Sequence, residues 1–294
     1  MVDPISPILI AGAGDVGLAV ATRLLSSGTP VATLNRSGRS VAGATALTAD
    51  LGDPTTLTNV AGATTVIFTT APPTPDEAGY RLAYLDGPQN LLRALGDTVN
   101  RVVVISTTGV YGVNNGSWVS AATAPSPDRA TTALVAEGEA ALCARYPTTI
   151  VRAAGIYGPG RTRLIDQVRS GTATIARDGA PHWTNRIHRD DLADAVALLA
   201  EHQRPPEVVI AVDNEPAPRD DVLRFIAERT GSQLGTDPET RPHPTGKRCQ
   251  NDALVAVGWQ PRYPTFREGY ERILASLHSH VEAHQQEEGE DPPQ

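Results

Sequence analysis

The chain has 294 residues, a formal net charge of -8 and a pI near 5.4. An acidic balance of this kind excludes a general nucleic-acid binder, which needs a positively charged face. The length and the 40% hydrophobic content fit one large globular domain, or one domain with a smaller appendage. Because aromatic residues make up only 4% of the chain, the core must be mainly aliphatic.

The cysteines and the apolar runs limit the class of protein further. Cys143 and Cys249 have no short-spaced partner, so the sequence predicts neither a metal site nor a disulfide framework. The N-terminal segment has no basic stretch before a long apolar run, and no stretch reaches the roughly 18 apolar residues of a membrane span. These features predict a cytoplasmic protein with no membrane or nucleic-acid partner.

The first half of the chain alternates short apolar runs with stretches of helical spacing. The sequence predicts helices at 16–27 and 80–96, and strands at 7–12, 30–35, 64–70 and 101–107. Continuous apolar runs between helices are typical of strands that are buried on both faces of a sheet. The predicted fold class is therefore α/β, with a doubly wound parallel sheet.

The second half is less regular. Small and polar residues predict a loop at 113–128, followed by a helix at 131–146 and a strand at 148–158. After about residue 160 the elements become shorter: helices are predicted at 192–200 and 218–231, and a strand at 207–213. The polar, acidic segment 278–294 ends in PPQ, and we expect it to be a disordered tail.

The first predicted strand leads into a glycine-rich turn, Gly12-Ala13-Gly14-Asp15-Val16-Gly17. GxGxxG alone is a weak pattern, but here it follows a strand, opens a helix and begins an alternating β/α chain. Gly12 would permit the tight turn, Gly14 would let backbone N–H groups approach a pyrophosphate, and Gly17 would let the helix pack on the strand. The turn, including Asp15 and Val16, predicts the dinucleotide site of a Rossmann domain.

The end of the second strand distinguishes NAD from NADP. An NAD site usually has an acidic residue there, which binds the ribose diol, but this sequence has Asn35 and Arg36. Asn35 can bond a hydroxyl without repelling a phosphate, and Arg36 can hold a 2′-phosphate. NADP is therefore favoured over NAD, the alternative being that Arg36 is a solvated loop residue.

Two further strand ends complete the predicted cofactor site. Asp50 and Leu51 follow the next strand-like run, beside the expected position of the adenine, whereas Asp53 is predicted to cap a short helix. Thr70 and Ala71, at the end of the run 64–70, are predicted as further cofactor contacts.

Six segments in a fixed order carry a resemblance to a known superfamily: GAGDVG, ADLGD, ISTTGVYG, VRAAGIYGPGR, NRIHRDDLADA and VGWQPRYPTFREGY. Together they span about residues 8–272. The chain resembles the extended or atypical branch of the short-chain dehydrogenase/reductases, also called the NAD-dependent epimerase/dehydratase family. The GxGxxG turn makes it most similar to the atypical YeeZ-like subgroup.

The resemblance implies a two-part architecture. Residues 1–155 would form the NAD(P)-binding Rossmann domain, to which strands from later in the chain return. Residues 156–277 would form an interleaved substrate subdomain, with the tail at 278–294. It also implies a homodimer through the helices predicted at 80–96 and 131–146, and a small-molecule substrate.

The sequence departs from this family at its catalytic residues. Aligned on VYG, Thr107 stands where the family has a Ser or Thr that positions the substrate, but the segment 128–136, where a Tyr and a Lys should follow, contains neither. The only lysine, Lys247, is far away in sequence. Three explanations stay open: another residue supplies the proton, water or the substrate supplies it, or the protein binds a cofactor without catalysis.

Four side chains are candidates to supply the missing proton: Tyr111, Tyr157, His182 and His188. A tyrosine has an ordinary pKa of about 10 and needs a neighbouring cation such as Arg152 to act as a base, whereas a histidine titrates near about 6.5. The structural alternatives are that both tyrosines only pack, and that His188 lies at a helix start capped by Asp190 or Asp191. The leading function is an NADP-preferring oxidoreductase of a small carbonyl or alcohol; the alternatives are a nucleotide-sugar epimerase or dehydratase and a silent NADP-binding sensor.

Overall fold

A computed structural model describes residues 8–58, 60, 62–238 and 240–287. The strands in chain order are β1 Ile8–Ala11, β2 Val31–Asn35, β3 Thr45–Thr48, β4 Thr65–Phe68, β5 Arg101–Thr107, β6 Trp118–Val119, β7 Thr148–Ala153, β8 Gly155–Tyr157, β9 Thr174–Ala176, β10 His182–Thr184, β11 Arg186–His188, β12 Val208–Ala211, β13 Ala217–Pro218, β14 Gly235–Asp237, β15 Thr245–Gly246 and β16 Arg248–Cys249.

The helices in chain order are α1 Asp15–Ser26, α2 Glu77–Arg81, α3 Gly87–Leu95, α4 Ala130–Cys143, α5 Arg163–Arg169, α6 Arg189–Glu201, α7 Arg219–Thr230, α8 Asp252–Ala256 and α9 Phe266–Glu287. A π-helical segment, Leu82–Asp86, joins α2 to α3. Short 3₁₀ turns cover Pro54–Thr56, Gly96–Thr98 and Thr108–Val110.

Seven strands form one parallel sheet in the order β12-β7-β5-β4-β1-β2-β3. Successive residues of β1 point to opposite faces of the sheet. Ile8 and Ile10 pack in one core with α1 and α6, whereas Leu9 and Ala11 pack in a second core with α3. The doubly wound α/β fold that the alternating apolar runs predict is confirmed.

Elements from the later part of the chain form a smaller body, here called the C-terminal lobe: α5, α7, α9, β9, β10 and β13–β16. Its own core combines Ile165, Val222 and Phe266 from three helices. The chain leaves the large sheet after β7 and returns to it at β12, whereas α6 and α8 pack against the large sheet's core. The two bodies are therefore interleaved along the chain.

Several predicted elements have different bounds in the structure. The strand predicted at 148–158 is two strands, because the backbone N–H of Ala154 bonds Ala211 while that of Gly155 turns to Asn185. The helix predicted at 80–96 begins at Glu77, and the loop predicted at 113–128 contains β6.

The C-terminal helix also differs from the sequence prediction. Helix α9 continues to Glu287 and so extends into the segment 278–294, which the sequence predicts to be a disordered tail. Residues 281–287, VEAHQQE, include good helix formers, which supports this continuation. The rest of the predicted tail, 288–294, lies outside the described residues.

Candidate functional site

Loops at the carboxyl ends of the sheet strands enclose a cavity of about 440 Å³, here called the strand-end cavity. It lies beside β1, β2, β3 and β4, which is the edge where open parallel sheets bind ligands. Eight of the residues predicted to contact a cofactor line it: Gly12, Gly14, Asn35, Arg36, Asp50, Leu51, Thr70 and Ala71.

The three glycines of the turn after β1 have different surroundings. Gly12 has φ +90°, and a Cβ there would lie 2.7 Å from the backbone nitrogen of Thr70. A Cβ on Gly17 would lie 2.6 Å from the Thr69 hydroxyl, so this glycine allows α1 to pack closely on the sheet. A Cβ on Gly14 would meet only the Gly12 carbonyl, at 3.8 Å, so it would project beside the cavity.

The N-terminus of α1 lies at this turn, and no described side chain caps it. Asp15 and Val16 begin the helix but do not line the cavity: Val16 is buried in the core, and Asp15 pairs with two arginines. The Asp15 carboxylate accepts hydrogen bonds from Arg161 at 2.6 Å and Arg189 at 3.0 Å. These arginines neutralise a negative charge that would otherwise weaken anion binding at the helix terminus.

Asn35 organises the loop that follows β2. Its side-chain oxygen accepts from the backbone N–H groups of Ser37 and Arg39, both at 3.0 Å, and its amide donates to the Arg39 carbonyl at 2.6 Å. Arg36 is exposed on this loop, lines the cavity, and has no ion-pair partner among the described residues. The structure therefore presents a free guanidinium at the place where the sequence predicts a phosphate contact.

The two acidic residues after β3, Asp50 and Asp53, have separate roles in the structure. The carboxylate of Asp53 accepts from the Thr55 N–H at 3.0 Å, which confirms its predicted role as a cap. Asp50 lines the cavity, and its carboxylate accepts from the Gly52 N–H at 2.8 Å.

Thr107 lies at the carboxyl end of β5, the strand next to β4 in the sheet. Its side-chain oxygen accepts from the Gly109 N–H at 3.0 Å, and the residue is half-buried. The hydroxyl hydrogen is still available to a ligand because this contact uses only the oxygen as acceptor. Thr107 does not line the strand-end cavity.

Tyr111 is buried and is part of a hydrogen-bond network with Arg152 and Glu139. Its hydroxyl donates to the Ser120 carbonyl at 3.1 Å and accepts from Arg152 at 2.8 Å. Arg152 in turn forms a buried ion pair with Glu139 at 2.7 Å. Burial raises the pKa of Tyr111, although the Arg152 hydrogen bond opposes this shift. The structure thus supports the packing alternative, rather than a proton-transfer role, for Tyr111.

Tyr157 and His188 pack together at the junction with the C-terminal lobe. The Tyr157 ring stacks on Tyr270 at 4.7 Å, its hydroxyl points at Gly269, and burial strongly raises its pKa. His188, rather than Asp190 or Asp191, caps α6: its Nδ1 accepts from the Asp190 N–H at 3.2 Å. Both side chains support the structural alternative.

His182 lies in the C-terminal lobe, in a separate cavity of about 200 Å³. Its Nδ1 contacts the Thr245 hydroxyl at 2.8 Å, and burial, with the nearby Arg241 and Arg219, lowers its pKa. Neither Thr107 nor any residue of the strand-end cavity lines this second cavity. The structure therefore does not bring His182 together with Thr107 in one pocket.

Lys247, which is far from Thr107 in sequence, contacts the residue next to Thr107 in the structure. The ammonium group of Lys247 donates to the carbonyl oxygen of Thr108 at 3.3 Å. Lys247 is distant from β5 in sequence, but the contact between β16 and β6 brings it back to this end of the sheet. No local motif around Lys247 signals this position, and only its being the sole lysine of the chain could have singled it out.

The chain matches a family model over residues 8–211, described as the NAD dependent epimerase/dehydratase family. A solved structure from Methylobacillus flagellatus, described as a candidate NAD-dependent epimerase/dehydratase, is 37% identical, with a TM-score of 0.80; the match covers 93% of this chain and 99% of that one. No curated protein matches the chain.

More distant structures share the fold. UDP-glucose 4-epimerase from Thermus thermophilus, in complex with NAD, is 22% identical with a TM-score of 0.74, over 89% of this chain and 96% of that one. A short-chain dehydrogenase/reductase superfamily protein from Agrobacterium tumefaciens, with bound NAD, is 19% identical with a TM-score of 0.77, over 95% and 99%. No helix of the described residues is long and apolar enough to cross a membrane.

Proposed function

Because the chain belongs to the NAD-dependent epimerase/dehydratase family, we propose that it is an NADP-preferring oxidoreductase of a small-molecule carbonyl or alcohol, working without the usual Tyr-Lys pair. The observation that carries the proposal is the strand-end cavity, in which segments after four neighbouring strands meet. Its volume of about 440 Å³ lies within the usual range for ligand pockets.

The residues present fit a dinucleotide. The open space beside Gly14 and the uncapped N-terminus of α1 provide backbone N–H groups for a pyrophosphate. The adenosine half would lie near Asp50 and Leu51, and the nicotinamide half would extend past Thr70 towards β5. When bound, the nicotinamide supplies or accepts a hydride; the protein residues position it and exclude water.

Arg36 supports the preference for NADP. No carboxylate stands at the end of β2, where one would repel a 2′-phosphate, and the Arg36 guanidinium is free of ion pairs among the described residues. Asn35 serves to hold the loop in shape rather than to bond the ribose, since its side-chain oxygen and nitrogen both bond the loop backbone.

A second candidate is epimerisation or dehydration of a nucleotide sugar. The relative from Methylobacillus flagellatus is described as a candidate NAD-dependent epimerase/dehydratase, and the Thermus thermophilus structure is a UDP-glucose 4-epimerase. The two reactions differ in what happens to the cofactor. An epimerase regenerates and retains it, whereas an oxidoreductase exchanges it at every turnover; a catalytically silent sensor would exchange it without turnover.

The test is calorimetric titration of cofactor-stripped protein with NADPH and NADH, side by side. We expect tighter binding of NADPH, and we expect Arg36→Ala to reduce that preference by about tenfold or more, the usual range for a hydrogen bond to a charged group. Arg204→Ala, at an exposed arginine away from the strand-end cavity, is the matched control and should keep the preference. Binding of neither dinucleotide would overturn the proposed function.

A homodimer and a cytoplasmic location are part of the same proposal. The proposed dimer face is the one that the resemblance implies, along α3 and α4, which border a groove of about 150 Å³. Light scattering during size-exclusion chromatography tests the oligomeric state directly, and a monomer at working concentration would contradict it.

A further inference from the structure

The sole lysine of the chain lies at the reacting end of the proposed site. Thr108, whose carbonyl accepts the hydrogen bond from Lys247 at 3.3 Å, directly follows Thr107 at the end of β5. In the sheet order, β5 lies next to β4, on the far side of β1 from β2 and β3. A dinucleotide with its adenosine over β2 and β3 therefore extends its nicotinamide towards Thr107 and Lys247.

The backbone around Lys247 is held on both sides by one side chain. The Asn185 amide donates to the Lys247 carbonyl at 2.9 Å, and its oxygen accepts from the Cys249 N–H at 2.8 Å. Gly246, with φ +73°, lies so close to Trp183 that a Cβ would meet its carbonyl oxygen at 2.0 Å. These contacts fix the position from which the Lys247 side chain leaves the backbone.

The next residue, Arg248, holds the same segment through contacts with two tryptophans and a backbone carbonyl. Its guanidinium lies 4.9 Å from the ring centroids of both Trp118 and Trp183, and its Nε donates to the Gly116 carbonyl at 2.8 Å. Stacking of an arginine between two indoles stabilises this arrangement and restricts its motion. The segment 246–249 is therefore a rigid support that presents a single lysine to the end of β5.

The groups that act on the charge of Lys247 lie on its own segment and on the segment 128–129. Burial lowers the pKa of the Lys247 ammonium group, the nearby Cys249 and Asp128 oppose this shift, and Arg129 adds to it. Asp128 and Arg129 belong to the segment 128–136, in which the Tyr and Lys of the resembled family are missing. Among the described residues, no carboxylate forms a salt bridge with Lys247.

We propose that Lys247 is the proton donor that the sequence motif lacks, an inference that rests on the proposed function. A bound reduced nicotinamide would supply a hydride to the carbonyl carbon of the substrate, and the Lys247 ammonium would give a proton to the carbonyl oxygen. The ammonium N–H bond would break as the O–H bond forms, so that the products would be the alcohol, the oxidised cofactor and a neutral amine. The amine regains its proton from solvent, and the Thr107 hydroxyl donates a hydrogen bond to the same substrate oxygen.

The choice of lysine at this position supports proton transfer. The chain has 25 Lys and Arg residues, and all of them except Lys247 are arginine. An arginine would supply the charge and the hydrogen bond to Thr108, but it holds its proton too tightly to give it up in a protein. Lysine is the basic residue that can do both.

The test exploits the single lysine. Acetic anhydride labels neutral amines, so the labelled sites are Lys247 and the α-amino group of the chain, and peptide mass spectrometry separates them. Labelling is timed in the free protein, with saturating NADPH, and with 2′,5′-ADP, which fills only the adenosine end. We expect NADPH to slow labelling of Lys247 severalfold, 2′,5′-ADP to leave it unchanged, and neither to affect the α-amino group.

Each other outcome overturns the inference in a distinct way. Calorimetric binding of NADPH with unchanged Lys247 labelling would place the lysine outside the nicotinamide site while leaving the proposed function intact. Equal protection by NADPH and 2′,5′-ADP would mean closure of the C-terminal lobe rather than contact. Binding of neither NADPH nor NADH would remove the proposed function, and this inference with it.

Two variants separate proton transfer from structural support. Lys247→Met should keep the melting temperature and NADPH affinity close to wild type, but lower kcat for any carbonyl compound that the wild type reduces by roughly 10²–10⁴, the usual contribution of a general acid. Lys247→Arg keeps the charge and the hydrogen bond and should not restore turnover. Restoration by arginine would show that charge, and not proton transfer, is what this position supplies.

Discussion

The strand-end cavity and the end of β5 lie side by side on one sheet, yet they are built in different ways. The cavity is formed by loops that each directly follow a strand, and its shape depends on backbone and glycine. The end of β5 is assembled from segments far apart in sequence, since the carbonyl of Thr108, next to Thr107, meets Lys247 from the C-terminal lobe. Contacts within a loop can be inferred from a short motif, whereas contacts between distant segments cannot.

The two regions also differ in what supports them. Below the end of β5 lies a buried network in which Glu139 accepts hydrogen bonds from Ser106 and Arg152, and Arg152 donates to Tyr111. The cavity depends instead on close backbone approach, as at Gly12. The first region should therefore be sensitive to loss of a charge, and the second to added volume.

Removing the charge of Glu139 should have the largest effect. Glu139→Gln leaves the Arg152 guanidinium buried without its counter-charge; the side chains are 4% and 5% exposed for Arg152 and Glu139, respectively. Losing one partner of a buried ion pair typically costs about 3–5 kcal/mol. Urea unfolding should show a fall in the free energy of unfolding of that order.

The matched control is Glu271→Gln, which breaks an ion pair of similar length on the surface. Arg229 and Glu271 lie 2.9 Å apart but are 42% and 51% exposed. Exposed pairs contribute about 0–1 kcal/mol, so this variant should unfold nearly as the wild type does. Equal losses in the two variants would contradict the view that a buried network supports the end of β5.

Much of the fold and of the cavity could be predicted because the signals are local. Mainly apolar runs of four to five residues mark β1, β2 and β4, since strands buried on both faces carry few polar residues. The turn after β1 and the residues after β2, β3 and β4 then fall on the same edge, because parallel strands all end there. Eight predicted cofactor contacts line one cavity for this reason.

The catalytic candidates could not be sorted in the same way. The sequence cannot show that Tyr111 is held by Arg152, or that the Tyr157 hydroxyl points at Gly269, because these contacts cross between elements. The sequence places Lys247 far from Thr107, but in the structure its ammonium group contacts the carbonyl of the neighbouring Thr108, so distance in sequence is a wrong guide here. The domain boundaries at 155 and 277 and the catalytic roles stay predictions.

Two glycine variants test the construction of the cavity. Gly12→Ala puts a Cβ 2.7 Å from the Thr70 backbone at a residue with φ +90°, and such strain costs about 1–3 kcal/mol. Gly14→Ala meets nothing closer than 3.8 Å, so the fold should keep its stability, but the methyl group would lie where a pyrophosphate must approach. We expect Gly12→Ala to lower the melting temperature. Gly14→Ala should weaken NADPH binding and leave the melting temperature unchanged. Normal NADPH binding by Gly14→Ala would place the pyrophosphate elsewhere.

The smallest predicted effect concerns pH and the junction behind the end of β5. Here four residues each have a buried polar atom without a partner in the described residues: Tyr157, Arg186, His188 and Asp213.

Burial raises the pKa of Asp213 to about 8, with Arg186 and the Glu215 N–H opposing the shift. The same carboxyl titrates near about 3.9 in an unfolded chain. The folded protein therefore holds a proton that the unfolded chain releases, and this contribution to stability is complete below about pH 3.9 and lost as the pH rises through about 8.

Asp213→Asn should remove that pH dependence. Between about pH 6 and 8 the wild-type free energy of unfolding should fall by at most about 1.4 kcal/mol per pH unit, while the variant shows a flatter profile. Burial raises the pKa of Asp191 to about 6 and lowers that of His188 to about 4, and the unfolded-state titration of His188 at about 6.5 adds a slope of opposite sign at the low end of this window. Because Asp213→Asn leaves both groups in place, the difference between the wild-type and variant slopes reports Asp213. Asp53→Asn is the control, because hydrogen bonds from Thr55 lower the pKa of that exposed carboxyl and it does not titrate in this window. If Asp213→Asn kept the wild-type slope, the junction would hold Asp213 ionised beside Arg186, and the unpartnered groups would belong to a buried ion pair instead of a protonated acid.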